Sequence, residues 1–186
     1  KLVRSLGLNQ EQKKIYSEIT RSLAAKGYKV VVGSKAEIAK FDGTSFGADD
    51  NGMTNVGTKT IYLADPTAEV LVHEFIHAAS FEQVLSHYEG RSTPELTDAM
   101  KRLEILKDEF MSIDSESIGM QNARAAIQSA EADLTSSDSV SKAKAMNEFM
   151  AWALTNQEIT DTLSQREAPV LVRIAKAVLQ AIKQLL

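Results

Sequence analysis

The chain has 186 residues, 44% hydrophobic and 25% charged, a composition that suits one globular unit and gives no sign of disorder. Its 25 acidic and 21 basic residues are interleaved and leave a net charge of −4, so no basic stripe points to nucleic acid, and none is expected as a partner. Cysteine is absent, which excludes disulfides and thiolate metal sites. No apolar run is long enough for a membrane span and no signal peptide is visible, so no membrane partner is expected. The first residue is Lys1 rather than Met, which reads as a fragment of a longer polypeptide.

Asn9 followed by Gln12 is a variant capping box, and Ile15, Ile19 and Leu23 recur at helical spacing up to Gly27, so the first element is expected to be a helix. Tyr28 to Val32 is a short β-branched run stopped by Gly33 and suits a strand. The stretch 42–59, rich in Gly, Asp, Asn and Thr and containing the turn pair Asn51-Gly52, is expected to be a loop. Thr58 to Leu63 reads as a second strand, and Asp65-Pro66 as the N-cap and first residue of a helix reaching about Tyr88. From Ser92 onward the pattern is helical. Ser92 and Glu95 form a capping box around Pro94, and Leu96, Ala99, Met100, Leu103, Leu106 and Phe110 fill one face. A face of small residues follows, including Ala123, Ala126 and Ala130, then a helix over about 140–154 and a last one from near Pro169.

The helix expected after Pro66 carries His73-Glu74-Phe75-Ile76-His77, two of the three histidines in the chain. This is HExxH spacing. On a helix, positions four apart lie one above the other, so two imidazoles can hold one Zn²⁺ while Glu74, about 100° round the helix, reaches a metal-bound water as general base. Six residues beyond His77, where a metzincin carries its third histidine, stands Gln83, and that pattern is not met. His87 lies ten residues past His77, about 15 Å along a continuous helix, too far to be a ligand without a break in the chain.

With the downstream run Asn147-Glu148-Phe149-Met150-Ala151-Trp152, the chain resembles the gluzincin metallopeptidases, in which HExxH is joined by a glutamate from a later helix. The resemblance implies a compact zincin-like α+β fold, with residues 1–90 as an α/β lobe and 91–186 as a helical lobe of the same globular unit. It makes Glu148 the third zinc ligand, across a helical insertion longer than in the thermolysin-like branch. The apolar surroundings of Glu148 support this, because a buried carboxylate must be paired, protonated or metal-bound. The resemblance also implies a substrate-binding edge strand over Thr44–Asp49, with Ser45, Phe46, Gly47 and Ala48 meeting an extended peptide through main-chain hydrogen bonds. At the position four residues after Glu148, where the thermolysin-like pattern has an orienting aspartate, stands Trp152.

The activity so implied is zinc-dependent hydrolysis of a peptide or protein substrate, with Zn²⁺ on His73, His77 and Glu148 and with Glu74 as base. By residue type, Tyr62, His87 and Tyr88 are candidate oxyanion donors. Two other readings stay open: a metal-holding structural or interaction domain without turnover, and a metal-free helical protein. The stretch from Asn147 to Leu163 also looks like segments of phage and mobile-element polyproteins, which makes the virion a location beside the cytoplasm.

Overall fold

The computed structural model describes residues 10–42, 46, 50–64, 67–114, 117–133 and 135–155. The architecture is α+β with a mainly helical carboxy-terminal half, as expected. The chain divides into two compact units, Lys1–Ala79 and Ser80–Leu186.

The first unit opens with α1 (Gln10–Ala25), whose Tyr16, Ile19 and Leu23 are buried at helical spacing. Past its end, the Tyr28 N–H donates to the Leu23 carbonyl (3.0 Å), a Schellman closure that turns the chain into the sheet. Three strands follow, β1 (Lys29–Gly33), β2 (Gly52–Asn55) and β3 (Thr60–Ala64), in the spatial order β1-β3-β2. β1 runs parallel to β3, with Lys29 opposite Thr60, and β2 runs antiparallel to it, with Gly52 opposite Leu63. The central strand is buried along its whole length. Parallel neighbours need a crossover, and it contains α2 (Lys35–Asp42). That helix was not expected, although its capping box is legible: the Ser34 N–H and Oγ donate to Glu37 Oε2 (2.8 and 2.7 Å), and the Glu37 N–H donates back to Ser34 Oγ (3.3 Å).

The expected loop over 42–59 is corrected, because it contains β2. Asn51-Gly52 is not a turn: the Ala64 N–H donates to the Asn51 carbonyl (2.8 Å) and Gly52 opens the strand. The local turn preference yields to ladder hydrogen bonds with β3, a case of context overriding propensity. Of the edge strand expected over Thr44–Asp49, Phe46 belongs to no strand and packs on the apolar cluster of Ile38, Tyr62 and Ala64, while Ser45, Gly47 and Ala48 lie outside the described residues. The Asp65-Pro66 cap lies outside them too, and Thr67 Oγ1 accepts from the Val70 N–H (3.2 Å) at the helix start.

α3 (Ala68–Tyr88) runs unbroken from the first unit into the second. Gly90 takes φ +74°, a left-handed conformation that most side chains avoid, and lets the Arg91 N–H donate to the Ser86 carbonyl (2.8 Å). Next come α4 (Pro94–Ser112), α5 (Ile118–Glu131) and α6 (Asp138–Thr155). The cap of α4 is Thr93, which accepts from the Leu96 N–H with Pro94 at the first helical position, rather than Ser92. Ser92 instead pairs with His87 Nδ1 (2.8 Å). Leu103 and Phe110 of α4, Met120 and Ile127 of α5, and Met146 and Phe149 of α6 are fully buried and form the core of the second unit. The helix expected from near Pro169 lies outside the described residues.

The turn between α5 and α6 is organised by Asp133. Its carboxylate accepts from the Thr135 N–H (3.0 Å), Ser136 Oγ (2.8 Å) and Lys144 Nζ (2.7 Å), and its carbonyl from Ser141 Oγ (2.9 Å). Lys144 first and then these other donors hold the Asp133 carboxyl well below the usual carboxylate range. A depressed carboxylate stabilises the fold above its unfolded-state pKa and stops doing so as pH falls through the folded one. Asp133→Asn should therefore unfold at lower urea than the parent at pH 7, and the difference should begin to shrink below about pH 4 and go on narrowing toward pH 2. Urea midpoints measured from pH 7 to pH 2 check this.

Candidate metal centre

Between residues 71 and 80, α3 is buried at every position except His73 and His77, which are half-buried. A helix apolar almost all round belongs inside a core, so two partly open imidazoles on one face mark the place where it meets a polar environment. Their rings stand edge to face with centroids 4.6 Å apart, as the four-residue spacing requires.

Glu74, between them in sequence, is 7% exposed. Thr54 Oγ1, on β2, lies 2.8 Å from Glu74 Oε2 and 3.0 Å from the Glu74 carbonyl, so strand and helix are joined at this carboxylate. Gly52 makes the approach feasible. A Cβ there would lie 2.6 Å from Glu74 Cγ, 2.7 Å from Oε1 and 2.8 Å from Val70 Cγ1, all closer than real contacts allow. Gly52→Ala should therefore cost about 1–3 kcal/mol through overpacking, read as a lower urea midpoint. An unchanged midpoint would mean that β2 does not press on Glu74.

On α6, Asn147 is buried, and Ser80 Oγ donates to its Oδ1 at 2.6 Å. Ser80 is one turn past His77 on α3, and Asn147 directly precedes Glu148. This buried bond sets the register between the histidine-bearing helix and the helix of the expected third ligand. Glu148 is half-buried and lines a cleft of about 680 Å³ with Ala126, Ala130 and Asp133. Of the three expected ligands, His73 and His77 lie together on α3 in the first unit and Glu148 on α6 in the second. Two imidazoles and one carboxylate, with no thiolate, are the donor set of a zinc ion, so the residues fit the metal.

Tyr62 packs with Ile38 and Ala64 on the sheet. His87 and Tyr88 sit at the carboxy-terminal end of α3, where His87 Nε2 is 3.9 Å from Glu104 Oε1. Burial, and then the Glu104 carboxylate, push the Tyr88 phenol above its ordinary range. Sequence reasoning missed the contacts made by Gly52, Thr54 and Ser80. Gly52 carries a turn signal, and the two hydroxyls carry none.

No family model matches the chain, and no solved structure matches it. It is 37% identical, over an alignment of 205 positions that takes in the whole chain, to the virion DNA-directed RNA polymerase of Enterobacteria phage N4, of which it spans 6%. Among the described residues no helix is long and apolar enough to cross a membrane, and of the two expected locations the virion agrees with that relative's name. The likeness corrects the expectation of a peptide-hydrolysing enzyme with a peptide substrate and no nucleic-acid partner: the similar protein is named a polymerase that works on DNA, and HExxH by itself specifies a way of holding a metal rather than a reaction.

Proposed function

We propose that this chain is a segment of a long phage virion polypeptide of the DNA-directed RNA polymerase kind, and that His73, His77 and Glu148 hold one structural Zn²⁺ in it. The observation that carries this reading is the 37% identity along the entire chain to a small part of a virion polymerase. Likeness over 100% of one chain and 6% of the other is what a segment of a larger assembly produces. The ligand set is the one that the gluzincin resemblance implies, and it comes without that family's activity.

The chemistry of the donors separates this site from nucleotidyl transfer. Phosphoryl chemistry of that kind uses two hard cations about 3.5–4 Å apart, held by oxygen ligands. Two imidazoles and a single carboxylate suit one borderline-soft ion instead. Bound there, zinc would supply a cross-link between the histidine-bearing turn of α3 and the Glu148 turn of α6, adding folding free energy. The buried Ser80–Asn147 bond keeps those turns in register, and the Thr54 hydroxyl holds the intervening Glu74 carboxylate.

Metal analysis of the purified chain after zinc loading and dialysis tests the first half, with about one zinc per chain expected, none in the His73→Ala/His77→Ala double variant, and less in Glu148→Ala. A wild-type chain that retains no zinc would overturn the reading. For the second half, the full polypeptide carrying His77→Ala should still synthesise RNA on a DNA template at temperatures where the variant stays folded. Loss of synthesis there would place the metal in the reaction itself.

A further inference from the structure

We propose that the outer edge of β1 docks a second copy of this chain, the two strands pairing antiparallel around a two-fold axis at Val31 into one sheet shared by both copies. β1 is an edge strand, and among the described residues no strand lies on its side away from β3. The Lys29 N–H donates to the Lys59 carbonyl (2.9 Å), so the alternate residues, Val30 and Val32, turn their main-chain N–H and carbonyl groups outward. Their side chains fit a docking role as well. Val30 and Val32 stand opposite the buried Ile61 and Leu63 yet are 46% and 60% exposed, so the apolar face of the sheet runs out to an uncovered border. Edges of this kind are normally blunted by charge, proline or a bulge, and β1 has only Lys29, at its first position.

The strand is complementary to itself. With the axis at Val31, Val30 of each copy faces Val32 of the other as a doubly hydrogen-bonded pair, which satisfies the outward main-chain groups and joins the valines of both copies in one apolar strip. Lys29 then faces Gly33, and both positions lie on the sheet face that carries Val31. On that face Glu37 Oε2 lies 3.4 Å from where a Cβ on Gly33 would be, so the lysine of one copy comes down beside the carboxylate of the other, and the two-fold axis repeats the pair. The Ser34 N–H and then its hydroxyl hold the Glu37 carboxyl below the usual carboxylate range, which keeps it charged at neutral pH. A parallel pairing in register would instead set Lys29 against Lys29. A strand of unrelated sequence would have to bring a cation to that one position.

Sedimentation velocity on the full chain over a wide concentration range reads the association, with a rise toward twice the chain mass of 20.4 kDa expected. Val32→Pro removes an outward N–H without touching the ladder to β3, and Val30→Lys puts a charge into the apolar strip at an exposed position. Both variants should stay monomeric, with urea transitions showing that they are folded. Lys29→Glu should weaken the dimer about tenfold, because exposed ion pairs become like-charge pairs, and the Lys29→Glu/Glu37→Lys exchange should recover most of that loss. A wild type that stays monomeric throughout overturns the inference, and slow hydrogen exchange at Val30 and Val32 in that monomer would show another part of the chain on the edge. A dimer that survives both Val32→Pro and Val30→Lys overturns it too, since it uses another surface. One that Lys29→Glu leaves unchanged overturns the pairing around Val31.

Discussion

Stripping zinc from the loaded chain is expected to lower its unfolding free energy by about 4 kcal/mol, the mass-action value for a ligand present at about a thousand times its Kd. For a chain of this size that amounts to a melting temperature lower by about 10 °C, at roughly 2–4 °C per kcal/mol. The reason is geometric. His73 and His77 belong to one helix, and Glu148 to another that the sequence separates from it by α4 and α5. An ion bound by all three stabilises only the folded arrangement, because the unfolded chain cannot present the ligands together. His77→Ala should melt at one temperature with or without chelator. Calorimetry with and without a strong chelator makes the comparison, and a wild type indifferent to the chelator would refute a structural metal.

Phe149→Ala is expected to cost about 3–5 kcal/mol, the range for removing a fully buried aromatic side chain. Phe149 has no exposed surface and meets Phe110 edge to face, with ring centroids 5.5 Å apart and planes at 62°. Both rings lie in the second unit, so the loss should appear in the urea transition of a chain free of zinc. Phe149 also follows Glu148 directly on α6, and emptying its pocket loosens the helix that presents the ligand. The same variant should therefore bind zinc more weakly than Phe110→Leu, which keeps most of the apolar volume. Equal zinc affinities in the two variants would show that the seat of α6 does not govern Glu148.

The elements that were legible share a physical property, a period longer than any local ambiguity. Leu103, Leu106 and Phe110 repeat over enough turns for α4 to be read directly, and of the residues that gave the period of α1, Ile19 and Leu23 are buried. β2 was not legible, since four residues beginning at Gly52 carry the local chemistry of a turn. Its strand character comes from pairing with β3, whose residues are buried throughout. α2 had a readable capping box in Ser34 and Glu37 but only two turns of pattern behind it.

At the site, the four-residue interval between His73 and His77 was sufficient by itself, because helix geometry converts that interval into a shared face. The role of Glu74 was not, since its contact with Thr54 and the close approach of Gly52 join residues about twenty positions apart. Asn147 and Ser80 are more distant still in sequence, and nothing local distinguishes their buried hydrogen bond from two polar residues facing water.

What the sequence determined alone was the presence of two metal-type ligands on one helix, an α+β organisation, and the absence of thiolate chemistry. Only the tertiary structure decided that Gly52 belongs to a strand and that Glu74 is held by a hydroxyl. The physical reason is that a helix fixes relations between residues three and four apart, whereas a metal site, a sheet edge and a buried polar pair depend on chain segments whose approach is set by the packing of the whole core.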